Sequence, residues 1–116
     1  MVNFDKLKKR WQRDRIRQQE YSAIRKKLVK EKAKPVFEKY HFSKVVLFGS
    51  ALENRSWSDS DIDLYVHPLS GSDYWIFIRE LEEMVGIPVD VYTDSDDEIF
   101  VKKILERGET VYEIQH

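Results

Sequence analysis

A small α/β (α+β) domain, with a short mixed or antiparallel sheet flanked by helices and preceded by a helical extension, is the architecture this 116-residue sequence predicts. Three observations predict it. The length suits one domain that buries a modest core without staples. Three short apolar runs, at 44–48, 61–66 and 88–92, carry strand character. The stretches between and around them have helical periodicity, and that order of elements closes around a small sheet.

Residues 4–39 read as one long helix or two, because good helix formers dominate and neither glycine nor proline occurs before Pro35. Leu7, Trp11, Tyr21, Ile24, Leu28 and Phe37 give it a thin apolar stripe. Pro35 marks a kink or a fresh start. Lys44–Phe48 is the first strand, with β-branched Val45 and Val46, and Gly49-Ser50 turns it. Asp61–Val66 is the second strand, ended by His67-Pro68. Its alternation sets Ile62, Leu64 and Val66 towards a core and Asp61, Asp63 and Tyr65 the other way. A helix over 73–85 follows, with Trp75, Ile78, Leu81 and Val85 as its buried face and Gly86 at its end. Pro88–Tyr92 is the third strand. Asp94-Ser95-Asp96 caps a helix that runs to Glu106, with Ile99, Ile104 and Leu105 as its apolar face. Gly108 closes that helix, and 111–114 forms a last short strand.

Charge divides the chain at residue 40. Residues 1–40 hold 14 Lys and Arg against 5 Asp and Glu; residues 41–116 hold 6 against 16. Such a basic arm suits nucleic acid or an acidic partner, and equally a solvated helix that complements its own acidic body. We read the extension as 1–35 and the domain as 36–116. Cysteine is absent, which excludes disulfides and thiolate metal sites. No apolar run approaches the roughly 20 residues that span a bilayer, and the basic amino terminus lacks the apolar stretch of a signal peptide, so a cytoplasmic location is expected.

Chemistry concentrates in VVLFGSALENRSWSDSDIDLYV. Asp61 and Asp63, two apart on a strand, present both carboxylates to one side, and Asp90 offers a third from a neighbouring strand. Such oxygen ligands suit magnesium alongside phosphate oxygens. Gly49 lets the backbone approach a ligand, Ser50 offers a hydroxyl, and the amides after it suit a phosphate. Each feature alone is ordinary, and it is their joint occurrence that is specific. Weaker candidates are Ser60, Tyr65 and Trp57, whereas Lys102 and Lys103 read as solvated helix residues.

The LFGS turn followed ten residues later by DID resembles the signature of the DNA polymerase β-like nucleotidyltransferase superfamily, in its minimal nucleotidyltransferase (MNT) branch. The resemblance covers about residues 36–114. It implies the polymerase β-like nucleotidyltransferase fold, with Gly49 and Ser50 on the triphosphate and Asp61, Asp63 and Asp90 as catalytic residues that bind two Mg²⁺ ions. Members often carry a basic residue directly after the GS and a glycine three residues later. Here those positions are Ala51 and Asn54, and Arg55 is the residue placed to replace part of the lost charge.

Proteins of this branch are antitoxins paired with HEPN-domain ribonuclease toxins, and transfer AMP from ATP to a toxin tyrosine. The resemblance therefore implies a protein adenylyltransferase antitoxin, with ATP as donor and a HEPN toxin as partner in a hetero-oligomer. Two alternatives stand beside it: a binding-only antitoxin with a decayed site, and a nucleic-acid-associated nucleotidyltransferase that uses the basic arm.

Overall fold

Asn3 starts the first helix by accepting the Asp5 and Lys6 amides on its side-chain oxygen, at 3.1 and 3.2 Å. The computed structural model describes residues 3–114. Helix α1 spans Phe4–Lys27 and runs into a π-helical turn, Leu28–Lys32. A short helix α2, Lys34–Lys39, follows, with Pro35 in its first turn where a missing amide hydrogen costs nothing. Pro35 thus marks a fresh start.

Strand β1 is Lys44–Phe48, followed by a 3₁₀ turn at Gly49–Ala51. Strand β2 is Ile62–His67, helix α3 Tyr74–Val85, strand β3 Val89–Tyr92, helix α4 Glu98–Arg107 and strand β4 Glu109–Glu113. The sheet order is β3-β2-β1-β4. β1 pairs antiparallel with both β2 and β4, and β2 pairs parallel with β3, so the sheet is mixed.

Alternation on the strands loads both faces of the sheet. One face carries Val45, Leu47, Ile62, Leu64, Val66, Val89 and Val91, buried against Val29, Phe37, Phe77 and Leu81 from the helical layer and Phe42 from the turn before β1. The other face carries Val46 and Tyr65, packed against Val101 and Ile104 of α4. Gly108 lets α4 end close to β1, since a Cβ there would run into the Val46 side chain and sit 2.7 Å from the Ile104 carbonyl oxygen.

Several expectations are corrected. Asp61 lies just before β2 rather than in it, because the pairing with β3 begins at Ile62, aligned with Val89. Trp75 is 75% exposed, not core. The phase of α3 is set by Phe77, Leu81 and Val85, with Tyr74 donating its hydroxyl to the Val91 carbonyl at 2.7 Å. Asp97, not 94–96, caps α4, accepting the Phe100 amide at 3.0 Å. Asp94 is engaged with Tyr65 and His67, and Asp96 accepts the Thr93 amide at 2.8 Å. Ile99 and Leu105 are exposed, and Val101 and Ile104 form the buried face of α4. On α1, Trp11 and Ile24 face solvent, while Ser22 and Arg25 are buried.

That last reversal fixes how the first helix meets the body. The segment from Lys6 to Arg17 makes no ion pair among the described residues, and the molecule measures 58 × 30 × 26 Å. Its continuation is tied down by a Lys26–Glu109 ion pair at 2.8 Å and by the contacts of Ser22 and Arg25. Among the described residues no helix is long and apolar enough to cross a membrane.

Candidate active site

The carboxylates gather where β2 and β3 run side by side. Asp63 stands in register with Asp90 across the parallel pair, and with Phe48 on the antiparallel side. Register partners on adjacent strands lie about 4.8 Å apart and share a face. Asp61 approaches from the residue before β2. Burial, then the neighbouring charges of Asp90 and Asp61, pushes the Asp63 carboxyl up to about 6. The three carboxylates are therefore electrostatically coupled, with Asp63 innermost and Asp61 and Asp90 exposed. Among the described residues no group of three or more His, Asp or Glu converges into a ready-made metal cage. Magnesium often takes only one or two carboxylates and completes its shell with phosphate oxygens and water.

Gly49 forms the wall beside this cluster. It adopts φ +74°, and a Cβ on it would collide with Asp63 Oδ2 and lie 3.1 Å from Asp63 Cγ. The turn and the carboxylate strand are thus in direct contact, as the joint motif requires. Gly49→Ala is expected to cost about 1–2 kcal/mol of stability from the left-handed backbone alone. By displacing Asp63 it should also lower turnover by about tenfold or more, checked by thermal melts and initial rates side by side.

Ser50 belongs to a hydroxyl network. Its Oγ lies 3.3 Å from Ser56 Oγ, and its carbonyl accepts from Ser22 Oγ at 3.3 Å. Ser22 in turn accepts the Ser56 amide at 3.0 Å. Arg55 stands on the exposed part of the same loop. Its amide closes the turn onto the Ser50 carbonyl at 2.9 Å, and its guanidinium pairs with Glu53.

Arg25 is the residue beside the site that the sequence reading missed. It is 3% exposed and donates Nε and one terminal nitrogen to the Ser60 carbonyl at 3.1 and 3.0 Å. Weaker bonds reach the carbonyls of Ser58 and Tyr21 at 3.4 and 3.2 Å. Burial lowers its pKa, opposed by Tyr21, Asp59 and Asp61. One helix of the amino-terminal segment therefore holds the residue that immediately precedes Asp61. The available signal was a spacing, Ser22–Arg25–Val29–Ala33, which forms one continuous buried stripe.

Further along the same face, Tyr65 donates to Asp94, which also meets His67 Nδ1. Burial, then the bond to Asp94, raises the Tyr65 pKa, so the hydroxyl stays protonated as a donor to Asp94. Phe48, Tyr92 and Phe100 form an aromatic cluster next to Asp63 and Asp90, with ring centroids 5.3 to 6.1 Å apart. Trp57 and Ser60 lie in the loop between the motifs, where Ser60 Oγ accepts the Trp57 amide at 2.8 Å.

Comparisons with known proteins bear on the family and the fold. The family described as "Polymerase beta, Nucleotidyltransferase" matches residues 31–116. No curated protein matches significantly. Among solved structures, a toxin–antitoxin complex with AMP-PNP is similar at TM-score 0.65 and 20% identity, covering 74% of each chain. The toxin–antitoxin MntA–HepT is similar at TM-score 0.59 and 19% identity, over 77% of this chain and 74% of that one. A structure of tri-AMPylated Shewanella oneidensis HEPN toxin in complex with MNT antitoxin is similar at TM-score 0.59 and 20% identity, over 78% and 74%. The mixed-sheet fold expected from the sequence is the one these chains share.

Proposed function

Because the chain belongs to the polymerase β nucleotidyltransferase family, we propose that it transfers AMP from ATP to a tyrosine of a HEPN toxin, as the antitoxin of that toxin. The observation that carries the reading is the contact of Gly49 with Asp63, which joins a phosphate turn to a carboxylate cluster. The structural likenesses support the donor and the partner, since one similar structure contains AMP-PNP and another a HEPN toxin that is AMPylated.

In this reading the tyrosine oxygen attacks the α-phosphorus. A P–O bond to tyrosine forms, the bond to the β-phosphate oxygen breaks, and pyrophosphate leaves with the electron pair. Asp61, Asp63 and Asp90 would hold Mg²⁺, which when bound neutralises charge on the phosphates. The donor set fits, being oxygen-rich, coupled and backed by a partly buried Asp63. Asp90, exposed at the open end of the cluster, is the group placed to receive the tyrosine proton. Ser50 and the amides of its turn orient the phosphates, and the Ser22–Ser56 network keeps that turn in place. Arg25 fixes the approach of Asp61 through the Ser60 carbonyl.

Incubation with the candidate toxin, Mg²⁺ and ATP labelled at either the α- or the γ-phosphate tests this. The expected result is α-label on the toxin, no γ-label, and loss of both signal and product with Asp61→Ala. Transfer of γ-label would make the chain a kinase and overturn the reading. A binding-only antitoxin is favoured by Ala51 and by the engagement of Arg55 with Glu53. It predicts no label while the complex still silences the toxin.

A further inference from the structure

The turn after Ser50 offers the phosphates little positive charge. Ala51 carries none, and Arg55 is paired with Glu53. A cavity of about 230 Å³ opens between this turn and α4, and it is lined by Gly49 on one side and by Phe100, Lys103 and Arg107 on the other. Lys103 and Arg107 are four apart on one helix face, so both project towards the same wall. Neither makes an ion pair among the described residues. Glu53 also lines the cavity, but its carboxylate is already met by Arg55. The helix is held there by the close approach at Gly108 and by Val101 and Ile104 in the sheet-face core. Other cavities, along the start of α1 and beside α3, do not touch Gly49.

We propose that Lys103 and Arg107 grip the β- and γ-phosphates of the nucleoside triphosphate across this cavity, in place of a basic residue after Ser50. The inference rests on the nucleotidyl-transfer reading and deepens it. With Mg²⁺ between the triphosphate and the carboxylates, the phosphate oxygens on the far side of the chain still favour cationic partners. α4 is the element that brings two of them to the same cavity as Gly49. A planar guanidinium suits two phosphate oxygens at once, while the ammonium acts as a point charge. The same pair would then hold the departing pyrophosphate.

The test is equilibrium binding of ATP, inorganic tripolyphosphate and AMP to the full chain in Mg²⁺, for wild type, Lys103→Gln with Arg107→Gln, and Lys102→Gln. Both substituted side chains are exposed, and circular dichroism confirms that each variant keeps its helix content. The double variant is expected to lose about 10–100-fold in affinity for ATP and tripolyphosphate, with AMP changed less than about twofold. Lys102→Gln, whose side chain does not line the cavity, should match wild type. Unchanged ATP and tripolyphosphate affinity in the double variant overturns the inference and leaves the transfer reading standing. An equal loss for AMP overturns it too, because the pair would then act on the nucleoside or on the fold. A wild-type chain that binds neither ATP nor tripolyphosphate ends both.

Discussion

Asp63→Asn is expected to lower nucleotidyl transfer by at least about 10²–10³-fold and, in chelator, to make the protein more stable than wild type. The two effects have one cause. Asp63 is pressed between Asp90, Asp61 and the Gly49 turn, and its carboxyl is pushed up to about 6 from an ordinary value of 3.8. A carboxylate whose folded pKa is raised favours the folded state when protonated and opposes it when ionised. Below about pH 4 the group is protonated in both states and exacts nothing. As pH rises from about 4 to 6 the unfolded chain ionises first, so folding loses up to about 1–2 kcal/mol after discount for partial exposure. Asparagine removes that loss. The difference in melting temperature between variant and wild type, measured in EDTA, should therefore grow across that window and level off above it. Addition of Mg²⁺ with ATP should then stabilise wild type far more than the variant. A variant no more stable than wild type at pH 7.5 in EDTA would show that the carboxylates are not in conflict.

Arg25→Met is expected to destabilise the protein by about 3 kcal/mol, a fall in melting temperature of roughly 10 °C or more. The substitution keeps the packing of the side-chain stem but leaves the Ser58 and Ser60 carbonyls without their donor. Turnover should fall by about 10–100-fold even at temperatures where the variant is fully folded, because Asp61 loses the anchor immediately before it. Arg25→Lys should recover part of the stability and less of the rate, since an ammonium cannot span two carbonyls as a fork does. Melts and rates on the three proteins check this. A rate that merely tracks the folded fraction would make Arg25 a packing residue alone.

Much of the chain could be read from its residues, for reasons that differ by element. β1 was legible to the residue because Val45 and Val46 leave little doubt of an extended run between a helix and a glycine. Asp63 and Asp90 were legible as a pair because strand alternation leaves no choice of face. The phase of α3 was not, since Trp75 looks apolar to any periodicity while a hydroxyl on Tyr74 and three other side chains decide the rotation. Arg25 was hidden by its surroundings, one cation among many in a basic segment. Its spacing with Ser22, Val29 and Ala33 was the one sequence signal, and its carbonyl partners lie about 35 residues away in a loop without regular structure. Lys103 was read as a solvated helix residue, because the sequence does not show which face of that helix lines the cavity beside Gly49.

The exposed first helix has a consequence for encounter. Its cations from Lys6 to Arg17 make no ion pair among the described residues, while residues 41–116 carry 16 Asp and Glu against 6 Lys and Arg. A net charge of -1 therefore conceals a strong separation of charge between the first helix and the body. A partner with its own charge asymmetry would be turned into alignment before any side chains touch, over separations up to roughly the 8 Å screening length of physiological salt. Association would then slow as salt is raised even where the final complex is held by apolar contacts.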